Sequence, residues 1–195
     1  MKNATLRIDN RKDILLVLLL SPGRSQMKNE PISGRTRLIK LVYLFYEELA
    51  YHLPTFKKIA EHNRHEFIAY HFGPFSKDIY DDIQFLENAD LIEEDSGDDL
   101  SIAEVSEWRL FYDDVLIDRI ESQEAAEDYS EPIFKLTEKG GTFTEELYNL
   151  LQQRERKALQ EFKGKYNSLP LNTLLRYIYT TYPDLAIKSK IKNFI

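Results

Sequence analysis

The apolar positions of the chain fall mostly at helical spacing, and one turn divides them. Tyr70-His71-Phe72-Gly73-Pro74-Phe75-Ser76 alternates like a strand, is broken by Gly-Pro, and ends on a serine where an N-cap belongs. Ile79, Ile83 and Leu86 then recur at helical spacing, which predicts a packed helix over 77–91. Asp78 sits in its first turn, where the helix dipole favours negative charge.

Upstream, residues 1–9 read as a flexible tail. Asn10 or Asp9 can cap a helix in which Ile14, Leu15, Val17, Leu18 and Leu19 leave almost no polar face, so this helix belongs at the centre of the fold. Ser21-Pro22-Gly23 ends it. Ser33 reads as the N-cap of a long helix over about 34–51, with the stripe Leu38, Leu41, Val42, Phe45 and Leu49. His52-Leu53-Pro54 stops that helix, 56–60 offers one short turn, and the alternation from Phe67 to Phe72 predicts a strand.

Downstream, Leu91–Glu94 and Ile133–Thr137 read as two strands. The segment 95–132 between them is acidic, yet Ile102, Val105, Trp108, Tyr112, Val115 and Ile120 are apolar enough to predict one or two short helices, with 123–130 as a mobile turn; a strand with Trp108, Leu110 and Tyr112 on one side is the alternative. Thr142 and Glu145 have capping-box spacing for a helix running to about Lys163, lined by Phe143, Leu147, Leu150, Leu151, Ala158 and Phe162. Gly164 marks its stop. Leu171, Leu174, Leu175, Ile178 and Tyr182 then form a last stripe. The organisation is a domain over 10–163 carrying the insertion 95–132, and a C-terminal helical extension over 164–195.

Composition narrows the chemistry. With 43% hydrophobic residues in 195, the chain can bury a real core. It has no cysteine, which excludes disulfides and thiolate–metal sites and fits a cytoplasmic location. The longest apolar run, Ile14 to Leu20, is far shorter than the ~20 residues that span a bilayer, so neither an anchor nor a signal peptide is read. His62 and His65 lack a third ligand at fixed spacing, so no metal site is read. There is no Gly-x-Ser-x-Gly, no phosphate-cradling glycine loop and no His-Glu-x-x-His, and the reading is a non-enzymatic protein without a cofactor.

Charge is distributed unevenly. Residues 1–80 carry 13 Lys and Arg against 8 Asp and Glu, residues 81–150 carry 4 against 22, and residues 151–195 carry 9 against 3. Basic ends and an acidic middle suit a basic partner for the middle, an anionic partner for the ends, or closure of the ends onto the middle. Arg35, Arg37 and Lys40 cluster at a helix start, where positive charge opposes the dipole. They are expected to face something anionic, and the acidic middle of the same chain is the simpler candidate.

Two helices, a turn plus helix, then two strands returning to a helix is the order of a winged helix-turn-helix. The fold class read here is therefore mainly α with a small antiparallel β element, a winged helix-turn-helix with an acidic insertion in the wing and C-terminal helices. Arg35-Thr-Arg-Leu-Ile-Lys-Leu-Val-Tyr43, Tyr70-His-Phe-Gly-Pro-Phe-Ser76, Leu86-Glu-Asn-Ala-Asp-Leu-Ile92 and Phe134-Lys-Leu-Thr-Glu-Lys-Gly140 together resemble the YwgA-like and SocA-like (Panacea) family of bacteria and phages. The likeness spans roughly residues 10 to 160. It departs at His71-Phe72, where many members have Phe-Tyr before Gly-Pro, and in the long acidic wing insertion.

The resemblance implies a regulatory or antitoxin-type domain from a prophage, toxin–antitoxin or defence setting, acting by binding at the Gly73–Ser76 turn and the exposed side of the next helix. The outward positions of that helix are read as Lys77, Asp78, Asp81, Asp82, Gln84, Glu87 and Asn88, a set too acidic for an easy approach to phosphate. A basic protein partner is therefore favoured, met by Phe75, Lys77, Asp78, Asp81, Asp82 and Asn88. The alternative is DNA, with Arg24, Lys28, Arg35, Arg37, Lys40 and Lys77 on phosphates and Gln84 and Asn88 at base edges. The stripe within 168–182, with Tyr177, Tyr179 and Tyr182, offers either a homodimer surface or one more layer of core.

Overall fold

The computed structural model describes residues 6–63, 66–96 and 132–189. Its architecture follows from helix α1 (Arg11–Leu20), in which every residue from Asp13 to Leu20 is buried. Asn10 caps the helix by accepting from the Asp13 amide at 3.2 Å, and the Asp13 carboxylate accepts from the Asn10 amide at 3.2 Å. At the other end the Ser21 hydroxyl donates to the Val17 carbonyl at 2.6 Å. A helix with no polar face has to be surrounded, and α1 packs against α4 (Lys77–Asn88), α5 (Glu138–Leu150) and strand β5 (Pro132–Leu136).

Ser33 is not a helix cap. It belongs to a two-residue strand, β1 (Ile32–Ser33), paired with Ile133, and the N-cap of α2 (Arg35–Leu44) is Gly34 at φ 89°, a backbone angle that glycine adopts without strain. The helical path continues through a π turn over Phe45–Leu49 and a tight turn over Ala50–His52. Helix α3 (Pro54–Asn63) then occupies ten residues where the sequence suggests one short turn. Phe56, Ile59, Ala60 and Asn63 form its buried edge, at intervals of one helical face.

Strands β2 (Ile68–Tyr70) and β3 (Gly73–Phe75) make a small antiparallel hairpin that reverses at His71-Phe72. Gly73 and Pro74 are thus the second strand and not the break. Gly73 has φ 81°, and a Cβ there would come within 2.6 Å of the Tyr179 ring. Ser76 caps α4 by accepting from the Ile79 amide at 3.3 Å. Strand β4 (Ile92–Ser96) pairs antiparallel with β5, Ile92 opposite Leu136, and β1 adds to the other edge of β5, giving the order β1-β5-β4. Of the insertion expected over 95–132, Asp95 and Ser96 belong to β4 and Pro132 to β5, and the predicted helices and turn within 97–131 lie outside the described residues.

The single helix expected up to Lys163 is two helices, α5 and α6 (Gln153–Tyr166), parted at Leu151-Gln152. Thr137, and not Thr142, starts α5 by accepting from the Gly140 amide at 2.9 Å, so Gly140 and Gly141 lie inside the helix. Gly140 is there because a Cβ would meet the Leu91 carbonyl oxygen at 1.7 Å. Gly164 lies inside α6, which runs to Tyr166, so the expected boundary after residue 163 cuts a helix. Helix α7 (Leu171–Thr181) turns Leu171, Leu174, Leu175, Ile178 and Tyr179 into the common core. That stripe packs as one more layer of core, with Tyr177 and Tyr182 half-buried beside it. The fold is mainly helical with a small antiparallel sheet.

Candidate functional site

The supports of α4 are the cations that the sequence offers for phosphate. Lys40 is fully buried and its ammonium donates to the Pro74 carbonyl at 2.7 Å, fixing the hairpin to α2 just ahead of the Ser76 cap. Burial pushes the amine down to about 7. Arg37 is buried as well, with Nε donating to the Ser33 carbonyl at 3.1 Å and Nη1 to the carbonyls of Asn167 and Leu169, so it staples α2 to the turn before α7. Arg35 pairs with Glu94 and, at 3.5 Å, with Glu87, while its guanidinium lies 4.7 Å from the Tyr80 ring centroid and 5.4 Å from that of Phe134.

These three cations therefore face inward, and the assignment of phosphate contacts to Arg35, Arg37 and Lys40 is corrected. Arg35 meets carboxylates of the acidic middle. Arg37 and Lys40 meet backbone carbonyls instead, which also hold a cation well inside a protein.

Asp82 is likewise not part of an outward face. It is buried, accepting from Arg11 Nε at 2.8 Å and from the Lys12 ammonium at 3.2 Å. Arg11 also pairs with Glu66 and, at 3.4 Å, with Asp78, tying the start of α1 to α4. Beside this network lies a cleft of about 740 Å³ with Lys58, His62 and Glu66 among its walls. Glu87 turns inward too. Burial, reinforced by Glu94, pushes its carboxyl up to about 7.

What remains outward on α4 is Lys77, Asp78, Asp81, Gln84 and Asn88, with Phe85 among them. Phe85 is 56% exposed and Lys12 places its ammonium 5.2 Å from the ring centroid. Sequence reasoning missed this residue, although it stands one position off the Ile79–Ile83–Leu86 stripe, where an apolar side chain has no core to enter. Phe75, expected at the site, is half-buried against the Tyr70 ring at 5.1 Å. Arg24 is exposed, and Lys28 is exposed but ion-paired to Glu145 at 2.7 Å.

Among the described residues no group of three or more His, Asp or Glu side chains could hold a metal ion. Among them, too, no helix is long and apolar enough to cross a membrane. No protein-family model, curated protein or solved structure matches the chain.

Proposed function

We propose that this chain is a non-enzymatic winged-helix module of regulatory or antitoxin type that binds a basic protein partner in the cytoplasm through the outer face of α4. The order α1, β1, α2, α4, β4, β5, with β1 and β4 flanking β5, supports the winged-helix reading, α3 and the β2–β3 hairpin being additions before the third helix of that arrangement. The resemblance in residues 10 to 160 adds the prophage, toxin–antitoxin or defence setting.

One observation carries the choice of partner. Arg35, Arg37 and Lys40 are buried, while α4 presents Phe85, Asp78 and Asp81 exposed. An exposed aromatic on a helix face that also carries Asp78 and Asp81 suits a cationic protein surface, since the ring contributes buried area and the acids steer the encounter. Against DNA the same carboxylates are repelled by phosphate. The second reading, a DNA-binding regulator, is favoured by the place of α4 in the fold and by exposed Lys77, Gln84, Asn88 and Arg24.

The test is co-purification from the host alongside titration with random and own-promoter duplexes at low and moderate salt. The expected result is a stoichiometric basic partner, lost on Phe85→Ala and on Asp81→Lys, with no duplex binding. Tight, salt-steep duplex binding lost on Lys77→Glu would establish the second reading instead.

A further inference from the structure

A groove separate from the α4 face lies between the α4–β4 connection and the first half of α5. It encloses about 880 Å³, with Asp90, Leu91 and Glu93 on one side and Glu138, Phe143 and Glu146 on the other. Its depth follows from Gly140, which lets α5 approach the Leu91 backbone more closely than any other residue permits. Phe143 is 36% exposed at the groove, and Leu150, two turns further along the same helix, is 47% exposed.

The groove is predominantly acidic, lined by Asp90, Glu93, Glu138 and Glu146 against one cation, Lys139, whose ammonium is held on the Ala89 carbonyl at 2.6 Å, while Glu93 pairs with Lys135 at 3.4 Å. Among the described residues, Asp90, Glu138 and Glu146 make no ion pair. An apolar centre bordered by an excess of carboxylates repels nucleic acid and acidic peptides and complements a cationic, amphipathic segment.

We propose that this groove docks a Lys- or Arg-rich segment of a protein partner, with one apolar side chain seated on Phe143 and the cations among Asp90, Glu138 and Glu146. The segment is a second contact, independent of the α4 face, and together the two surfaces would let one partner engage both sides of the β4 connection.

The experiment selects short random peptides, displayed on phage, against the intact immobilised protein and measures the recovered peptides by fluorescence anisotropy. Recovered sequences should combine Lys or Arg with a Leu, Phe or Trp. Their affinity should fall about tenfold or more on Phe143→Ala and on Glu146→Lys, fall with added salt, and survive Phe85→Ala. Both groove side chains reach the surface, so these variants are expected to fold, and circular dichroism checks it. Peptides without cationic bias, or binding indifferent to both groove variants, would overturn the proposal. So would binding lost on Phe85→Ala alone, which assigns the peptides to α4, or self-association abolished by Phe143→Ala, which assigns the groove to a second copy of the chain. Failure of the α4 reading leaves this readout intact, because it needs no α4 partner.

Discussion

The Lys40 ammonium reaches the Pro74 carbonyl at 2.7 Å and joins the middle of α2 to the strand that launches α4. It ties Arg35–Tyr43 to Tyr70–Ser76 through one hydrogen bond inside the core. The helix face that we propose as the binding surface is therefore held from behind by a buried charge.

That charge makes stability depend on pH. Burial lowers the Lys40 amine from 10.5 to about 7 in the folded protein, so between those values the unfolded chain binds more protons. Stability accordingly rises as pH increases through this window, by at most about 1.4 kcal/mol per pH unit for one such group. Lys163, buried with its amine on the carbonyls of Leu19, Ser21 and Glu30, is lowered to about 7 as well and acts in the same direction. Urea unfolding of the parent and Lys40→Met at pH 7, 8 and 9 is expected to show a shallower slope in the variant. An unchanged slope would show that Lys40 carries no depressed pKa.

Glu87 acts in the opposite sense and in a lower window. Its carboxyl rises from 4.5 to about 7, chiefly from burial and then from Glu94, so the folded state holds the extra proton between those values. Stability contributed by this group is present below 4.5 and is lost as pH rises towards 7. Glu87→Gln keeps a neutral side chain beside Arg35 and is expected to flatten the decline between pH 5 and 7. Thermal melts across that range measure it, with Glu93→Gln, on an exposed side chain of β4, as the control.

The two adjacent glycines of α5 should respond oppositely to alanine. At Gly140 the new Cβ would lie 1.7 Å from the Leu91 carbonyl oxygen, and α5 and the α4–β4 connection must separate to admit it. The expected cost is about 1–3 kcal/mol. At Gly141 nothing lies within 4 Å, and alanine removes the helix penalty of glycine, a gain of about 0.5–1 kcal/mol. Melting temperatures of Gly140→Ala and Gly141→Ala should fall on opposite sides of the parent.

How much of this was legible in the sequence depended on the distance between partners. α1 and α4 carry their own signals, an Asn10 or Ser76 cap and an apolar repeat, and the β4–β5 pair was readable from Leu91-Ile92 and from Ile133, Phe134 and Leu136. β1 has two residues, too few for any periodicity, and exists only because β5 offers an edge. The outward face of α4 was readable at Lys77, Asp78, Asp81, Gln84 and Asn88. Periodicity could not show that Asp82 and Glu87 at the margins of that face turn inward, because Arg11 lies 71 residues from Asp82, and Arg35 and Glu94 complete the other cluster from α2 and β4. The inward turn of Lys40 was hidden for the same reason, its acceptor being a backbone carbonyl in another element.

The break between α5 and α6 is a further case of remote control, and it is open to test through Glu155. This carboxylate is buried, accepts from the Gln152 amide at 2.9 Å, and also accepts from the amide and hydroxyl of Thr55, each at 3.0 Å. One side chain thus caps the start of α6 and the start of α3, two elements 100 residues apart, by supplying negative charge to both positive helix ends. Glu155→Gln keeps the volume but turns an N–H donor towards groups that are themselves donors. It is expected to cost about 1–3 kcal/mol, more than either cap alone, and Glu155→Ala more again. Hydrogen exchange separates the two roles: amides at the N-termini of α3 and α6 should lose protection together in Glu155→Gln. Loss confined to α6 would mean that the contact with Thr55 does not hold α3 in place.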